Sequence, residues 1–195
     1  RMHQAIFRDT FKVRNPVIFY SNQADFQQTN TVSGIIGSGT GGVTESLKNR
    51  VIMPVSQSLA QTDHTLGHEL VHAFQYKLFL NADSGKKISI NNIPLWMVEG
   101  MAEYLSIGSV DPNTAMWMRD ALLNDDFPAI RQLSDESKYF PYRYGQAFWA
   151  MVGKTWGDTA IMPLFRKTAQ YGLSKAADTI LGMDEKTLSG LWASA

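Results

Sequence analysis

Near its N-terminus the chain carries short apolar runs separated by polar and glycine-rich stretches. Residues 11–20 have the composition of a strand, with a break near Pro16. Another apolar run covers residues 50–55, after a segment (31–42) that contains five glycines. We predict two strands joined by a mobile glycine-rich loop or hairpin. Because Pro54 has no backbone N–H to donate, we expect the second strand at a sheet edge.

From residue 62 onward the apolar residues recur at helical spacing. Thr62 or Asp63 can cap a long helix that runs to about Leu80. A polar connection (81–92) follows, and Pro94 then opens a second helix that ends near Gly108. Five further helices are predicted to begin at or just after these residues: Asp111, Tyr144, Asp158, Ser174 and Asp184.

Strands followed by helices predict an α+β fold. We expect a small N-terminal mixed β-sheet together with the long helix, forming a lobe of about residues 1–80. A mainly α-helical C-terminal lobe would then span about residues 93–195. A length of 195 residues suits a single domain with a real core. Because the chain begins with Arg1, we expect it to be a fragment of a longer protein.

Composition removes several classes of function. Eighteen basic and eighteen acidic side chains give a formal net charge of zero, which argues against nucleic acid as a partner. There is no cysteine, so disulfides, thiolate metal sites and a cysteine nucleophile are excluded. No apolar run approaches the roughly 20 residues that a membrane span needs.

Five consecutive residues of the long predicted helix carry the strongest chemical signal. His68 and His72 are four positions apart, so both imidazoles lie on one helix face and can reach one metal ion. Glu69 lies beside them, where its carboxylate can take a proton from a coordinated water. The sequence therefore predicts a metal site with its own general base.

The next predicted helix carries Glu99 and Glu103, one turn apart, within the apolar run PLWMVEGMAEYL. Burying an unpaired carboxylate is costly, so these two side chains need a partner. A bound metal ion would be such a partner.

With these residues the chain resembles the gluzincin class of zinc metallopeptidases. The likeness lies in His68-Glu69-x-x-His72 followed, after 26 intervening residues, by Glu99 within residues 96–104 (WMVEGMAEY). More narrowly, residues 15–195 resemble bacterial peptidase-like domains that are often followed by a TolB-type β-propeller. The resemblance implies a zincin-like fold and one zinc ion held by His68, His72 and Glu99. It also implies that Glu103 orients a metal-binding histidine from behind.

The resemblance further implies hydrolysis of a peptide or protein substrate. Three protein ligands leave one position for water, and zinc lowers the pKa of that water from about 15.7 towards about 7. Glu69 would act as general base, and gluzincins commonly add a tyrosine or histidine that stabilises the oxyanion. Since no histidine follows His72, the candidates are Tyr139, Tyr142 and Tyr144, among which we favour Tyr144.

Several other readings of the same residues stay open. His64 extends the histidine stripe, but eight helical residues span about 12 Å, so His64 and His72 cannot share one ion. A site of His64 and His68 would leave Glu69 without a role.

Arg143 can pair with Glu103 or receive a substrate carboxylate, and we favour the pairing. The strand at residues 51–55 would pair with substrate backbone by analogy to gluzincins, or simply end the sheet.

Two alternatives concern the kind of protein. Gly37-x-Gly39-x-x-Gly42 matches a dinucleotide-binding fingerprint, but a strand rather than a helix is predicted after it, so we favour a loop or lid beside the site. The main alternative function is a non-catalytic, zinc-containing peptide-binding module. Relatives of the resembled class are commonly exported, so we expect a periplasmic or secreted location.

Overall fold

A computed structural model describes residues 2–9, 11–29, 32, 34–80 and 89–195, with the side chains of residues 2–4 left aside. Most of the predicted polar connection, residues 81–88, lies outside the described residues, as do positions 31 and 33 of the glycine-rich segment. The strands are β1 (Val17–Tyr20), β2 (Val43–Glu45) and β3 (Arg50–Pro54). The α-helices are α1 (Met2–Phe7), α2 (Gln23–Gln27), α3 (Leu59–Leu80), α4 (Leu95–Ile107), α5 (Pro112–Leu123), α6 (Pro141–Trp156), α7 (Ile161–Tyr171), α8 (Leu173–Leu181) and α9 (Glu185–Ser194). Short 3₁₀ helices cover Ile90–Asn92, Ile130–Ser134 and Asp158–Ala160.

The predicted α+β class is confirmed. A small mixed sheet of three strands packs on α3, and an α-helical region follows it in the chain. Two short helices, α1 and α2, also occur within the N-terminal part, where no helix was predicted. Among the described residues, no helix has both the length and the apolar character that crossing a membrane requires.

The position predicted for β3 is wrong, because this strand lies in the middle of the sheet. Its order is β1-β3-β2, with β1 parallel and β2 antiparallel to β3. The backbone N–H of Val51 donates to the carbonyl oxygen of Pro16, just before β1, and that of Val55 donates to Tyr20 at the end of β1. The nitrogen of Pro54 therefore faces the other side, towards β2. On that side β2 extends only as far as Val43, which is opposite Ile52, so Pro54 has no β2 partner and its missing N–H is tolerated. The edge strand nearest α3 is therefore β2.

Alternation along β3 distributes its side chains over two faces. Ile52 joins Phe26 and Ile36 in a small cluster on one face. Val51 and Met53, both fully buried, point to the opposite face, on which α3 packs. The sheet thus provides an apolar support along one side of α3.

Helix α3 begins earlier than predicted, at Leu59 rather than after Thr62 or Asp63. Ser58 performs the capping, since its Oγ accepts a hydrogen bond from the backbone N–H of Gln61. The Thr62 hydroxyl instead donates to the Ser58 carbonyl and accepts from the backbone N–H of Ser56.

The helical region follows the predicted order closely. Pro94 and Gly108 are the N-cap and C-cap residues of α4. Asp111 caps α5, because its side chain accepts a hydrogen bond from the backbone N–H of Thr114. Helix α6 begins at Pro141, three residues before the predicted Tyr144, because proline at the first position already has a helical φ. Asp184 caps α9 as expected.

Two glycines allow α4 and α6 to cross in close contact. A Cβ built on Gly145 of α6 would lie 2.7 Å from the Cα of Gly100 in α4 and would overlap the carbonyl oxygen of Trp96. Around this crossing the main core contains the fully buried Trp149, whose indole N–H donates to the Met97 carbonyl oxygen. The crossing sets the first turn of α6 against the acidic face of α4.

Candidate metal centre

Helices α3 and α4 each present two chemically active side chains one turn apart. On α3 these are His68 and His72, and on α4 they are Glu99 and Glu103. The two helices pack against each other, and Gly67 of α3 permits the approach because a Cβ there would lie 3.1 Å from the Cβ of Ser106. The pairs consequently face each other in a largely buried layer.

Three of these side chains converge on one point. The Nε2 atoms of His68 and His72 are 3.0 Å apart, and each lies 3.2 Å from Oε2 of Glu99. Ligands placed tetrahedrally about 2.0–2.1 Å from zinc are roughly 3.3 Å from one another. The chain therefore has a buried His/His/Glu cluster that can bind a metal ion.

The outer nitrogens of both histidines are held by acceptors. Nδ1 of His68 lies 2.9 Å from Oε1 of Glu103, and Nδ1 of His72 lies 2.8 Å from Oε1 of Gln75. A proton on each Nδ1 leaves the Nε2 lone pair free for a metal. Gln75 is itself held by its amide, which donates to the carbonyl oxygen of Val98 in α4.

The charges of the cluster shift several pKa values. Burial opposes protonation of His68, but its hydrogen bonds to Glu103 and Glu99 outweigh burial and raise its pKa to about 9. Burial would raise the pKa of Glu99, yet hydrogen bonds from His68 and His72 lower it to about 2. Glu103 behaves alike, with His64 and His68 lowering its pKa to about 2 against burial. Both carboxylates are thus charged at neutral pH.

A second His/His/Glu group shares His68 but uses its other nitrogen. Nε2 of His64 lies 3.0 Å from Oε1 of Glu103, the oxygen that also contacts His68 Nδ1, and these three residues could also hold a metal ion. Arg143 donates to Oε2 of Glu103 at 3.1 Å and to Asp111 at 3.3 Å. The predicted pairing of Arg143 with Glu103 is confirmed. With three N–H donors around it, Glu103 has the contacts of a hydrogen-bond acceptor.

Glu69 occupies the flank of the His68–His72 pair, on the side of the sheet. Its Oε2 accepts a hydrogen bond of 2.6 Å from the Thr44 hydroxyl of β2. Gly42 lies under the same side chain, since a Cβ at that position would be 2.8 Å from Cγ of Glu69. The glycine-rich segment therefore ends beside the cluster, where the sequence analysis expected a loop.

The structure brings Tyr142, rather than Tyr144, to the cluster. The Tyr142 ring stacks on His68 at 5.6 Å, and burial and then the nearby charge of Glu99 raise the pKa of its hydroxyl. Tyr144 is buried between Trp117 and Tyr139, and burial and then the charge of Asp126 raise its pKa. Because each residue of an α-helix is rotated by about 100° from the one before, Tyr142 and Tyr144 lie about 200° apart around α6 and face different sides.

Tyr139 lies with Tyr144 rather than with the metal cluster. Its hydroxyl donates to Asp126 at 3.3 Å, and its ring is buried against that of Tyr144. It therefore takes no part in the cluster that His68 and His72 form.

Three residues of the site, Gln75, Tyr76 and Thr44, were not singled out from the sequence. Gln75 and Tyr76 follow His72 by three and four positions, so the helical repeat that linked the histidines also places them on the same side. The Tyr76 ring stacks on His72 at 6.2 Å. Thr44 comes from the separate strand β2, and nothing local in the sequence connects it with Glu69.

Comparisons of the chain with protein-family models, curated proteins and solved structures find no match in any of the three. The class of this protein is therefore drawn from its fold and its site: an α+β protein with a buried His/His/Glu cluster that can bind a metal ion.

Proposed function

We propose that this protein is a zinc-dependent peptidase in which His68, His72 and Glu99 hold the metal and Glu69 is the general base. The observation that carries the proposal is the convergence of two imidazole Nε2 atoms and one carboxylate oxygen within 3.2 Å of each other. The two-imidazole, one-carboxylate donor set is one that zinc uses in catalytic sites. When bound there, zinc would polarise a carbonyl group and make water acidic enough to lose its proton near neutral pH.

The remaining roles belong to side chains already in place. The carboxylate of Glu69 accepts a proton from the attacking water and then passes this proton to the leaving amine. Glu103 and Gln75 keep the Nδ1 protons of the two histidines in position. We assign oxyanion stabilisation to the hydroxyl of Tyr142, because its ring stacks on His68 while Tyr144 packs against Trp117 and Tyr139.

The choice between the two His/His/Glu groups rests on hydrogen bonding. Metal at His64, His68 and Glu103 would have to replace the contacts that Glu103 makes with both histidines and compete with the Arg143 cation. Metal at His68, His72 and Glu99 leaves the contacts of Glu103 and Gln75 with Nδ1 intact. The second arrangement also gives Glu69 a function.

The proposal takes a peptide or protein as substrate and, from the resemblance to exported peptidases that often carry a propeller, a location outside the cytoplasm in a longer parent protein. The alternative is a peptide-binding module whose zinc is not catalytic. A base next to the metal favours hydrolysis, since a structural zinc needs none.

The test compares the wild-type protein with Glu69→Gln and Glu99→Gln. Zinc content is measured after dialysis, and hydrolysis is followed on a mixed peptide library by mass spectrometry. We expect one zinc per chain and measurable cleavage in the wild type. Glu69→Gln should keep the zinc and lose at least about 100-fold in rate, because only the proton acceptor is removed. Glu99→Gln should bind zinc much more weakly.

A matched control is Glu136→Gln, because Glu136 is exposed and lies in a loop of the helical region. It should keep both zinc and activity. Zinc binding without cleavage of any peptide by the wild type would refute the peptidase and support the binding module. Zinc lost on His64→Ala but kept on His72→Ala would move the metal to the second group.

A further inference from the structure

We propose that Thr44 of β2 is a positioning residue that holds the carboxylate of Glu69 in the orientation needed for proton transfer. The inference rests on the proposed function, since Glu69 acts as general base only if a metal binds beside it. It concerns a strand that is 24 residues away from the metal helix motif in sequence (residue 44 to residue 68). No feature of the HExxH pattern requires it.

The register of the sheet places Thr44 against α3. Thr44 is paired with Val51 of β3 in the antiparallel ladder, so both side chains point to the same face. Val51 is fully buried on the face that packs on α3. The Thr44 hydroxyl therefore reaches the metal helix, and the polar residue at this position meets Glu69.

The contact is short and involves a charged acceptor. Oγ1 of Thr44 lies 2.6 Å from Oε2 of Glu69 and 2.9 Å from the backbone oxygen of Glu69. One hydroxyl has one proton, and a hydrogen bond to a carboxylate is stronger than one to a peptide carbonyl. Thr44 thus donates to Oε2, which leaves Oε1 as the oxygen that takes up a proton.

Gly42, the residue just before β2, also restricts the side chain of Glu69. A Cβ on Gly42 would lie 2.8 Å from Cγ and 2.9 Å from Oε1 of Glu69, so only glycine leaves room for this side-chain conformation. The Glu69 side chain is therefore packed over Gly42 and tied to Thr44, and it is buried. Thr44 of β2 and Gly42 just before it therefore determine where the carboxylate of Glu69 points.

A held base lowers the cost of reaching the reactive geometry. The expected consequence of releasing it is a lower kcat with little change in KM, because substrate contacts stay as they are. Loss of metal is not expected, because Thr44 contacts neither histidine nor Glu99 in the hydrogen bonds of the site.

The experiment compares Thr44→Val, which keeps the shape and removes the hydroxyl, with Thr44→Ser, which keeps the hydroxyl. In the zinc-loaded protein we expect Thr44→Val to lower kcat about 10- to 100-fold with KM and zinc content unchanged. Thr44→Ser should restore kcat to within about threefold of the wild type. Equal kcat in wild type and Thr44→Val, or a serine variant as slow as the valine variant, would overturn the proposal.

Gly42→Ala tests the same orientation without touching the hydroxyl. The added methyl group should push Glu69 away from its site and lower kcat as Thr44→Val does, with zinc content unchanged. Wild-type kcat in Gly42→Ala would contradict a fixed Glu69 side chain.

A readout independent of activity separates this inference from the proposed function. In the metal-free protein, Thr44→Val should lower the urea midpoint of unfolding, and the drop should be smaller when Glu69→Met has removed the acceptor. Additive drops would show that Thr44 does not hold Glu69. A wild type that cleaves no peptide yet shows this coupling contradicts the peptidase, while the contact itself stands.

Discussion

His68 uses both of its ring nitrogens, and the two contacts have different purposes. Nε2 faces His72 and Glu99, where a metal can bind, while Nδ1 contacts Glu103. The division matters because a neutral imidazole has one donor and one acceptor nitrogen. When the ring is neutral, a carboxylate behind it therefore selects the tautomer that would offer Nε2 to a metal. His72 obtains the same orientation from the neutral amide of Gln75.

The amide of Gln75 leads to a prediction at the level of one side chain. Gln75→Met keeps a similar volume but removes the acceptor of His72 Nδ1, so the ring loses its preferred tautomer and orientation. We expect zinc affinity to fall about 10- to 100-fold. Competition with a chromogenic zinc chelator measures it.

Gln146→Met is the matched control. Gln146 is also fully buried, but its amide donates to the Gly108 carbonyl oxygen and not to a histidine. This variant should lose some stability but bind zinc like the wild type. An equal loss of affinity in both variants would mean that general loosening, and not the His72 contact, is responsible.

At the level of elements, the site depends on how closely α4 and α6 approach. Helix α4 supplies Glu99 and Glu103, and the first turn of α6 supplies Tyr142 and Arg143. Arg143 reaches Glu103 and Tyr142 stacks on His68 only because the helix backbones touch near Gly145. Glycine is unfavourable within a helix, so the close packing is what justifies it here.

Gly145→Ala should therefore be destabilising. Helix propensity alone would favour alanine by up to about 1 kcal/mol, but the new methyl group overlaps the Trp96 carbonyl oxygen. We expect the overlap to dominate, with a net loss of about 1–3 kcal/mol. Urea unfolding followed by circular dichroism measures it.

Gly190→Ala provides the comparison, because Gly190 lies within α9 and a Cβ there would meet no atom within 4 Å. That variant should gain about 0.5–1 kcal/mol. If the two substitutions changed stability alike, helix propensity rather than the crossing of α4 and α6 would control the outcome.

At the level of the whole molecule, the cluster joins the N-terminal part to the helical region. His68 and His72 lie on the helix that the sheet supports, and Glu99 lies on the first helix of the C-terminal region. A metal bound by all three residues would connect these parts in the folded protein and not in the unfolded chain. Binding energy at the site then becomes folding stability.

Zinc removal should accordingly lower the melting temperature. At free zinc 1,000-fold above the dissociation constant, binding adds about 4.1 kcal/mol, and each kcal/mol corresponds to about 2–4 °C for a chain of this size. Differential scanning calorimetry with zinc and with EDTA should therefore differ by roughly 8–16 °C.

Glu99→Gln tests whether the effect comes from this site, because the variant should show only a small difference between zinc and EDTA. Equal melting temperatures of the wild type in both conditions would exclude a tightly bound metal that links the two parts of the fold.

Much of the fold and of the candidate site could be read from local patterns. The spacing of His68 and His72 with Glu69 beside them is a pattern that spans only about one helical turn. Each helix cap, at Pro94, Asp111 and Asp184, is likewise a local signal at the start of its own helix. Helical periodicity and capping act over such distances, so the class of fold and the cluster on α3 were visible without coordinates. The pairing of Glu103 with Arg143 followed from the cost of a buried charge.

What the linear pattern left open depends on contacts between distant segments. Strand order decides that β3 is central and that the Thr44 hydroxyl contacts Glu69. The crossing of α4 and α6 decides that Tyr142, and not Tyr144, lies at the cluster. Such arrangements are selected by packing over the whole core, where many weak contacts add up and no single residue type specifies the result. Local chemistry thus identifies the side chains that could bind a metal, and packing of the sheet and helices supplies the residues that contact them.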